Sequence, residues 1–430
     1  MSSELIGLLG FLSVVLMIFM RIPIGIAMAL CGLVGTWILG GFPMLTYTMG
    51  TAPYNAVSSY SLSVLPLFII MGIVASHTDI SRKIFLAANA GFGRVRGGLA
   101  LATIGASAGF GAICGSSLAT SATMAKVALP EMRRYGYDMR LASASVAAGG
   151  TLGVMIPPSV ALALYGLLTQ TSIGSLYAAG ILPGILGIVL YCAAIWWTVL
   201  RNRSAAPLSD AGSLAQRFRS VLSVWDVALL FVVVIGGMFM GYFSPTEGAA
   251  VGVIGAFLVA IFRRSLDLPA LAHILRESAA TMGLIFLILI GATIFGFFID
   301  LSGLPRSTVG FVAGLDISPM TVLIIIIVAY VLLGCILDSI SMMLLTLPFI
   351  FPLVQDLGIN PVWFGILMVT AIEIGLITPP LGMNLFIVRA SDPSLTIGTI
   401  IRGVLPFVVA DLGRLALLII FPVISLALIP

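Results

Sequence analysis

The chain has 430 residues, of which 60% are hydrophobic and 8% are charged. Soluble domains carry about 25% charged residues, so this composition excludes a water-soluble globular protein. The net charge is +4, but the basic residues lie in short clusters between apolar runs. This pattern sets membrane topology and does not indicate nucleic-acid binding. We therefore predict an all-α integral membrane protein whose apolar runs contact the lipid bilayer.

The first half of the chain is predicted to contain five crossings and one re-entrant hairpin. If the N-terminus is outside, spans at about 5–20, 24–40 and 62–77 lead to a cytoplasmic loop with Arg82, Lys83, Arg94 and Arg96. The apolar segment at about 97–130 is followed by a second basic cluster, so both of its ends lie inside and it should enter and return as a hairpin. A crossing at about 141–170 and another at about 175–200 then lead to Arg201 and Arg203.

The second half repeats this order after a predicted cytoplasmic linker at 201–221. Spans at about 225–242, 246–263 and 278–298 are followed by a hairpin at about 322–354. The flanks of that hairpin are nearly free of basic residues, which indicates that it opens to the outside. A crossing at about 361–390 and a last helix complete about ten crossings.

Two copies of one unit, residues 1–200 and 222–430, are indicated by an internal match at an offset of 222 residues. The residues that align at this offset are Pro23 with Pro245, Pro130 with Pro352, Gly153 with Gly375, Pro157 with Pro379, and Pro158 with Pro380. Because the first copy has an odd number of crossings, the second must be inverted. Inverted repeats with interrupted helices are typical of secondary transporters.

Four polar breaks interrupt the apolar runs. The hairpins turn at 109–117 and 334–341, and the paired crossings break at 149–159 and 373–382. Non-helical backbone is tolerated at membrane depth only where it is buried in protein or lines a polar cavity. Carbonyl and hydroxyl oxygens suit a hard cation, and helix N-termini favour an anion. We therefore expect the four breaks to meet around a site for a cation and an anion.

Several polar residues in these segments have two interpretations. Asp338 at a hairpin tip is costly to bury, and is either a cation or gate residue or a helix cap. Glu373 is either a cation ligand or a cap of the broken helix. Asn384 could donate hydrogen bonds to a carboxylate. Asp411 and Arg414, three residues apart on the last helix, are predicted to pair with each other.

Three long motifs resemble the large permease subunit of tripartite ATP-independent periplasmic (TRAP) transporters. They are GAICGSSLATSATMAKVALPEMRRYGYD, GGTLGVMIPPSVALALYGLLTQTSIGSLYAAGILPG and EIGLITPPLGMNLF. One departure is Cys114, where the family more often has Ser. The resemblance implies an elevator mechanism, coupling to sodium, a small four-helix membrane subunit and a soluble periplasmic substrate-binding protein. It also implies the bacterial inner membrane and no enzymatic activity or cofactor besides sodium. The basic clusters and the ten crossings predict that both termini are periplasmic.

By position, the resemblance assigns two sets of site residues. The predicted cation-binding residues are Gly115, Ser116, Gly150, Gly153, Pro157, Asp338, Glu373, Gly375, Thr378 and Pro379. The predicted substrate-binding residues, between the hairpin tips, are Ser117, Ser159, Ser339 and Asn384.

Two alternative functions compete with this one. A cation/dicarboxylate symporter that acts without partner proteins has the same architecture. A membrane hydrolase needs a nucleophile with a general base or a metal cluster, and His77 and His273, both near loops, argue against it. The substrate is expected to be a small organic anion, either a C4-dicarboxylate or a related acid.

Overall fold

The computed structural model describes residues 2–93, 95–208, 213–315 and 317–429, so Arg94 and linker residues 209–212 lie outside the described residues. Over these ranges the chain forms helices and turns without a β-strand, as predicted. The helices of the first half are α1 (Ser3–Phe19), α2 (Ile24–Val57), α3 (Val64–Ser76), α4 (Ile80–Phe92), α5 (Gly98–Cys114), α6 (Ser117–Arg134), α7 (Met139–Met155), α8 (Val160–Thr169) and α9 (Ile173–Arg201).

The second half begins with shorter and less regular helices. A π-helical segment, Val232–Gly236, joins α11 to α12. The helices are α10 (Leu214–Leu222), α11 (Trp225–Phe231), α12 (Gly237–Phe239), α13 (Pro245–Phe262), α14 (Leu268–Ser302), α15 (Leu304–Gly314), α16 (Pro319–Gly334), α17 (Ser339–Asp356), α18 (Pro361–Ile377), α19 (Met383–Ser391), α20 (Ile397–Ile420) and α21 (Val423–Leu426).

Eight helices among the described residues are long and apolar enough to cross a membrane, or nine if the bent pair that ends in α4 counts as one span. The predicted ten crossings also include α1 and α18, which have 17 residues each and are shorter than a full span. Large apolar side chains are exposed around the outside, including Phe262 at 88% and Met240 at 74%. These surfaces require lipid rather than water around them.

Three segments differ from the sequence-based expectation. The predicted basic loop after residue 77 is largely the helix α4, which bends by 70° from α3. The span predicted to end near residue 40 is followed directly by a second helical stretch that reaches Val57, and Gly41, with the non-helical angles φ +69° and ψ −172°, forms the kink between the two. The predicted linker contains α10, which Ser213 and Gln216 begin with a reciprocal capping box.

The helix bounds of the two halves correspond closely. Both α17 and α18 begin and end 222 residues after α6 and α7, respectively. In each half, a hairpin of two helices (α5–α6 and α16–α17) is followed by a broken helix (α7–α8 and α18–α19) and then by a long helix (α9 and α20). The breaks identified from the sequence therefore separate successive helices in both halves.

The helices pack into two groups. In the core bundle, which comprises α5–α9 and α16–α20, α7 packs against α5, α6 and α20, while α18 packs against α16 and α20. In the outer helix group, which comprises α1–α3, α13 and α14, α14 runs along α2, and α13 packs against α3. All residues of α7 from Leu141 to Met155 and of α18 from Trp363 to Ile377 are buried. The two broken helices thus form the centre of the core bundle.

Paired glycines allow each hairpin to cross its broken helix at backbone contact. A Cβ atom on Gly111 would lie 2.4 Å from the Cα of Gly153, and one on Gly375 would lie 2.4 Å from the carbonyl carbon of Gly334. Small residues at helix crossings let membrane helices approach closely. In both halves this approach holds the hairpin turn beside the helix break.

Gly375→Ala is expected to lower the free energy of unfolding by about 1–3 kcal/mol, the usual cost of overpacking a close-packed interior. The matched control is Gly283→Ala on α14, where a Cβ would meet no atom within 4 Å. The thermal unfolding of both variants in detergent measures the difference. Equal midpoints for the two variants would contradict the close crossing.

Candidate functional site

A cavity of about 300 Å³ lies between the core bundle and the outer helix group. The turns of both hairpins line it, through Gly115–Ser117 on one side and Asp338–Ser339 on the other. Both broken helices reach it through Val154, Val160 and Leu376. The outer wall consists of residues from α3 and α14. The cavity is therefore bounded by all four interrupted segments.

The first hairpin turn is built from three consecutive predicted site residues. Gly115 ends α5 with φ +62°, a left-handed conformation that glycine adopts without steric cost. Ser116 is the N-cap of α6, and its Oγ accepts a 3.4 Å hydrogen bond from the N–H of Ala119. Thr120 donates to the carbonyl oxygen of Ser116 at 2.7 Å. Hydroxyl and carbonyl oxygens and the N-terminus of α6 are consequently presented at the edge of the cavity.

The second hairpin turn places a carboxylate at the corresponding position. Asp338 is the N-cap of α17, and its Oδ2 accepts a 3.2 Å hydrogen bond from the N–H of Ser341. It also lines the cavity together with Ser339. The two interpretations of Asp338, as a helix cap and as a site residue, are thus compatible in one geometry. An aspartate stabilises a helix N-terminus, because its negative charge interacts favourably with the partial positive charge at that end of the helix.

The breaks between α7 and α8 and between α18 and α19 each contain a cis peptide bond, Pro157–Pro158 and Pro379–Pro380. Ser159 bridges the first break, because it donates to the carbonyl oxygen of Val154 and accepts from the N–H of Leu162 at 3.2 Å. Thr378 at the second break donates to the carbonyl oxygen of Ile374 at 2.6 Å. These two hydroxyl groups satisfy backbone atoms at the breaks and do not line the cavity.

The remaining glycines of the predicted cation set pack against the hairpins behind their turns. A Cβ on Gly150 would lie 1.9 Å from Oγ of Ser121, and one on Gly153 would lie 3.4 Å from the carbonyl oxygen of Ser116. Gly375 holds the second hairpin in the same way. The predicted cation set therefore contains residues of two kinds: some face the cavity, and others shape the turns without facing it.

Ser117 and Asn384 form a buried hydrogen-bonded pair that joins the two halves of the chain. The amide nitrogen of Asn384 donates to Oγ of Ser117 at 2.7 Å and to the carbonyl oxygen of Ala147 at 3.0 Å. Ser117 Oγ donates in turn to Oδ1 of Asn384 at 3.1 Å. Both amide hydrogens of Asn384 are thus already used within the protein. The residue fastens the first hairpin to the second break rather than offering free donors to the cavity.

Ser117→Ala is expected to lower the free energy of unfolding by about 1–3 kcal/mol, since it leaves a buried amide of Asn384 with an unpaired polar atom. Ser58→Ala, at an exposed serine that follows α2, is the matched control for loss of a serine hydroxyl. Chemical denaturation of the two variants measures the difference. Wild-type stability of Ser117→Ala would show that the pair contributes nothing.

The outer wall of the cavity contains residues that the sequence analysis did not identify. Glu277 on α14 lines the cavity together with Ser76 on α3. Its Oε2 lies 2.8 Å from Nε2 of His77 and 3.6 Å from Nδ1 of His273. The two histidines thus meet beside the cavity, although they are 196 positions apart in the chain. Of the described residues that line the cavity, Asp338 and Glu277 are the charged ones, and both are acidic.

Glu373 does not face the cavity. Its Oε2 accepts a hydrogen bond from Arg414, and both side chains have no solvent exposure. Arg414 also lies 3.0 Å from Asp411, which confirms the predicted pair on α20. The position of Glu373 therefore differs from that expected of a cation ligand at the hairpin turns. It binds a residue 41 positions further along the chain, and no local spacing rule predicts such a partner.

Known proteins match almost the whole chain. A family model described as "Tripartite ATP-independent periplasmic transporter, DctM component" matches residues 11–424. The C4-dicarboxylate TRAP transporter large permease protein of Pseudomonas aeruginosa is 33% identical over 377 residues, covering 87% of each chain. The sialic acid TRAP transporter large permease protein of Vibrio cholerae is 31% identical and covers 100% of this chain and 98% of its own. The crystal structure of the Alcanivorax borkumensis YdaH transporter has a similar fold, with a TM-score of 0.67, 17% identity, and coverage of 94% of this chain and 99% of that chain.

Proposed function

Because this chain belongs to the DctM component family of TRAP transporters, we propose that it is the large membrane subunit of a sodium-coupled, binding-protein-dependent importer of small organic anions. The family defines a multi-pass membrane transport protein. The coupling ion, the substrate class, the bacterial inner membrane and the periplasmic position of both termini are the proposed parts of this function.

The observation that carries the proposal is the charge of the cavity. Its charged lining residues among those described are Asp338 and Glu277. An organic anion would meet two carboxylates there, and an uncompensated charge in a low-dielectric site is strongly unfavourable. Bound sodium ions at the oxygen-rich turns would neutralise the site, so cation occupancy would raise the affinity for the anion. By thermodynamic linkage, the anion would raise the affinity for sodium by the same factor.

The position of the cavity supports an elevator mechanism. Hairpin turns and broken helices belong to the core bundle, whereas α3 and α14 belong to the outer helix group. Movement of the core bundle against the outer helix group would carry the two turns and the ions between them as one body. The outer group would then act as the scaffold of the transporter.

The proposed partners are a small four-helix membrane subunit and a soluble periplasmic substrate-binding protein. The two relatives carry different substrates according to their names, a C4-dicarboxylate and sialic acid. Both substrates are carboxylates, so the proposal for this chain is a small organic acid, with C4-dicarboxylates as the first candidates to test.

Uptake into proteoliposomes tests this function. This chain and its small membrane partner are reconstituted together, and radiolabelled organic acids are offered with and without the binding protein under an inward sodium gradient. Uptake that requires both sodium and the binding protein is the expected result. Gradient-driven uptake without the binding protein would instead identify a stand-alone cation/dicarboxylate symporter.

A further inference from the structure

A fully buried polar network lies inside the core bundle, apart from the cavity. It contains Glu373 on α18, Asp411 and Arg414 on α20, and Tyr191 on α9, none of which has more than 1% exposure in its side chain. The hydroxyl of Thr151 on α7 extends the network through a 2.9 Å contact with Oη of Tyr191. Four helices of the core bundle therefore meet at one set of hydrogen bonds.

The charges in this network do not balance if every group is ionised. Two carboxylates and one guanidinium would give a net charge of −1 at a site without solvent exposure. A buried charge without a partner costs several kcal/mol. Oε1 of Glu373 and Oδ1 of Asp411 are buried without a hydrogen-bond donor among the described residues, although Oδ1 of Asp411 lies 3.0 Å from Arg414. Arg414 can balance the charge of one carboxylate, and the charge of the second would have no positive partner in the network.

The hydrogen bonds of the network identify which carboxyl group is neutral. The Thr151 hydroxyl donates its one hydrogen to the carbonyl oxygen of Ala148 at 2.8 Å, and a carbonyl can only accept. The contact between Thr151 and Tyr191 must then be donated by Tyr191. The Tyr191 hydroxyl has no second hydrogen for Asp411, whose Oδ2 lies 2.5 Å from Oη. All three hydrogen bonds form together only if Asp411 donates the third.

We propose that Asp411 is a proton-binding site, whose carboxyl group remains protonated at neutral pH and donates a hydrogen bond to Tyr191. The bound proton leaves Arg414 and Glu373 as one balanced ion pair. The titratable groups that face this site are Tyr191 from α9, Arg414 from α20 and Glu373 from α18, whereas α7 contributes the hydroxyl of Thr151. The site holds its proton independently of the sodium ions proposed at the hairpin turns.

Infrared spectroscopy of the full chain in lipid nanodiscs at neutral pH tests this site. Aspartate labelled with carbon-13 in the side-chain carboxyl group is used, so that the C=O band of a protonated aspartate shifts and is distinguished from glutamate. We expect such a band in the wild type, its loss in Asp411→Asn, and a shift in Tyr191→Phe, which lacks the hydrogen-bond acceptor. Asp267→Asn, at the N-cap of α14 and outside the network, serves as the control and should retain the aspartate band.

Two results would overturn the proposal. One is the absence of a labelled protonated-aspartate band in the wild type, and the other is a band that neither Asp411→Asn removes nor Tyr191→Phe shifts. The amide of Asn donates a hydrogen bond as the protonated acid does, so Asp411→Asn should fold. If it does not fold, the presence of the band in the wild type and its shift in Tyr191→Phe test the proposal.

Discussion

Asp338→Asn is expected to abolish sodium-driven uptake while the protein folds as the wild type does. The side chain of Asp338 has two roles: it caps α17 through the N–H of Ser341, and it contributes a carboxylate to the cavity. Asparagine caps helices about as well as aspartate, so the substitution removes the charge and preserves the cap. Sodium-dependent uptake into proteoliposomes, together with the unfolding temperature in detergent, separates the two roles.

Asp267→Asn is the matched control for this substitution. Asp267 is the N-cap of α14 and accepts a 2.8 Å hydrogen bond from the N–H of Ala270, but it does not line the cavity. We expect this variant to transport like the wild type. Sodium dependence that is unchanged in Asp338→Asn would exclude the carboxylate of Asp338 from the cation site.

Arg414→Leu is expected to lower the free energy of unfolding by about 3–5 kcal/mol, the usual cost of removing one partner of a buried ion pair. Arg414 is the partner of Glu373 on a different helix, and neither side chain is exposed. Without the guanidinium, Glu373 must either remain charged in an apolar interior or take up a proton. Arg402→Leu, at an exposed position on the same helix, is the control.

A double substitution distinguishes the loss of the ion pair from the loss of packing. Removing both charges with Glu373→Gln and Arg414→Leu leaves no unpaired ion, so the double variant should recover part of the lost stability. Chemical denaturation of the single and double variants measures this coupling. A double variant less stable than Arg414→Leu would mean that the charges do not act as a pair.

The helix breaks were predictable because their causes are local. Glycines, hydroxyl residues and paired prolines interrupt apolar runs in ways that chain geometry dictates, and the second hairpin helices begin at Ser117 and Ser339, within the predicted turns. The prediction of a loop after residue 77 was wrong, since Arg82 and Lys83 lie on α4. Charge clusters indicate the side of a membrane, but they do not exclude an amphipathic helix at its surface.

The distant partners of the site residues were not predictable from one sequence. Glu277 reaches the cavity from a helix that looked like an ordinary span, because only the packing of α14 against α3 brings it there. The pair of Asp411 and Arg414 was predicted from its spacing of three residues, whereas the contact of Arg414 with Glu373 depends on two helices meeting. The hydrogen bond between Ser117 and Asn384 was not predictable either, because it also depends on the packing of helices that are distant in the chain.

The bond between Ser117 and Asn384 also has a consequence for biosynthesis. The two residues are 267 positions apart, and the chain is made from the N-terminus. The first hairpin therefore enters the membrane long before its partner has been translated, and its turn lacks this contact until the second half has been inserted. A chain cut short at the linker would keep the polar turn of its first hairpin in the membrane without the partner that satisfies it, which is unfavourable in a medium without water.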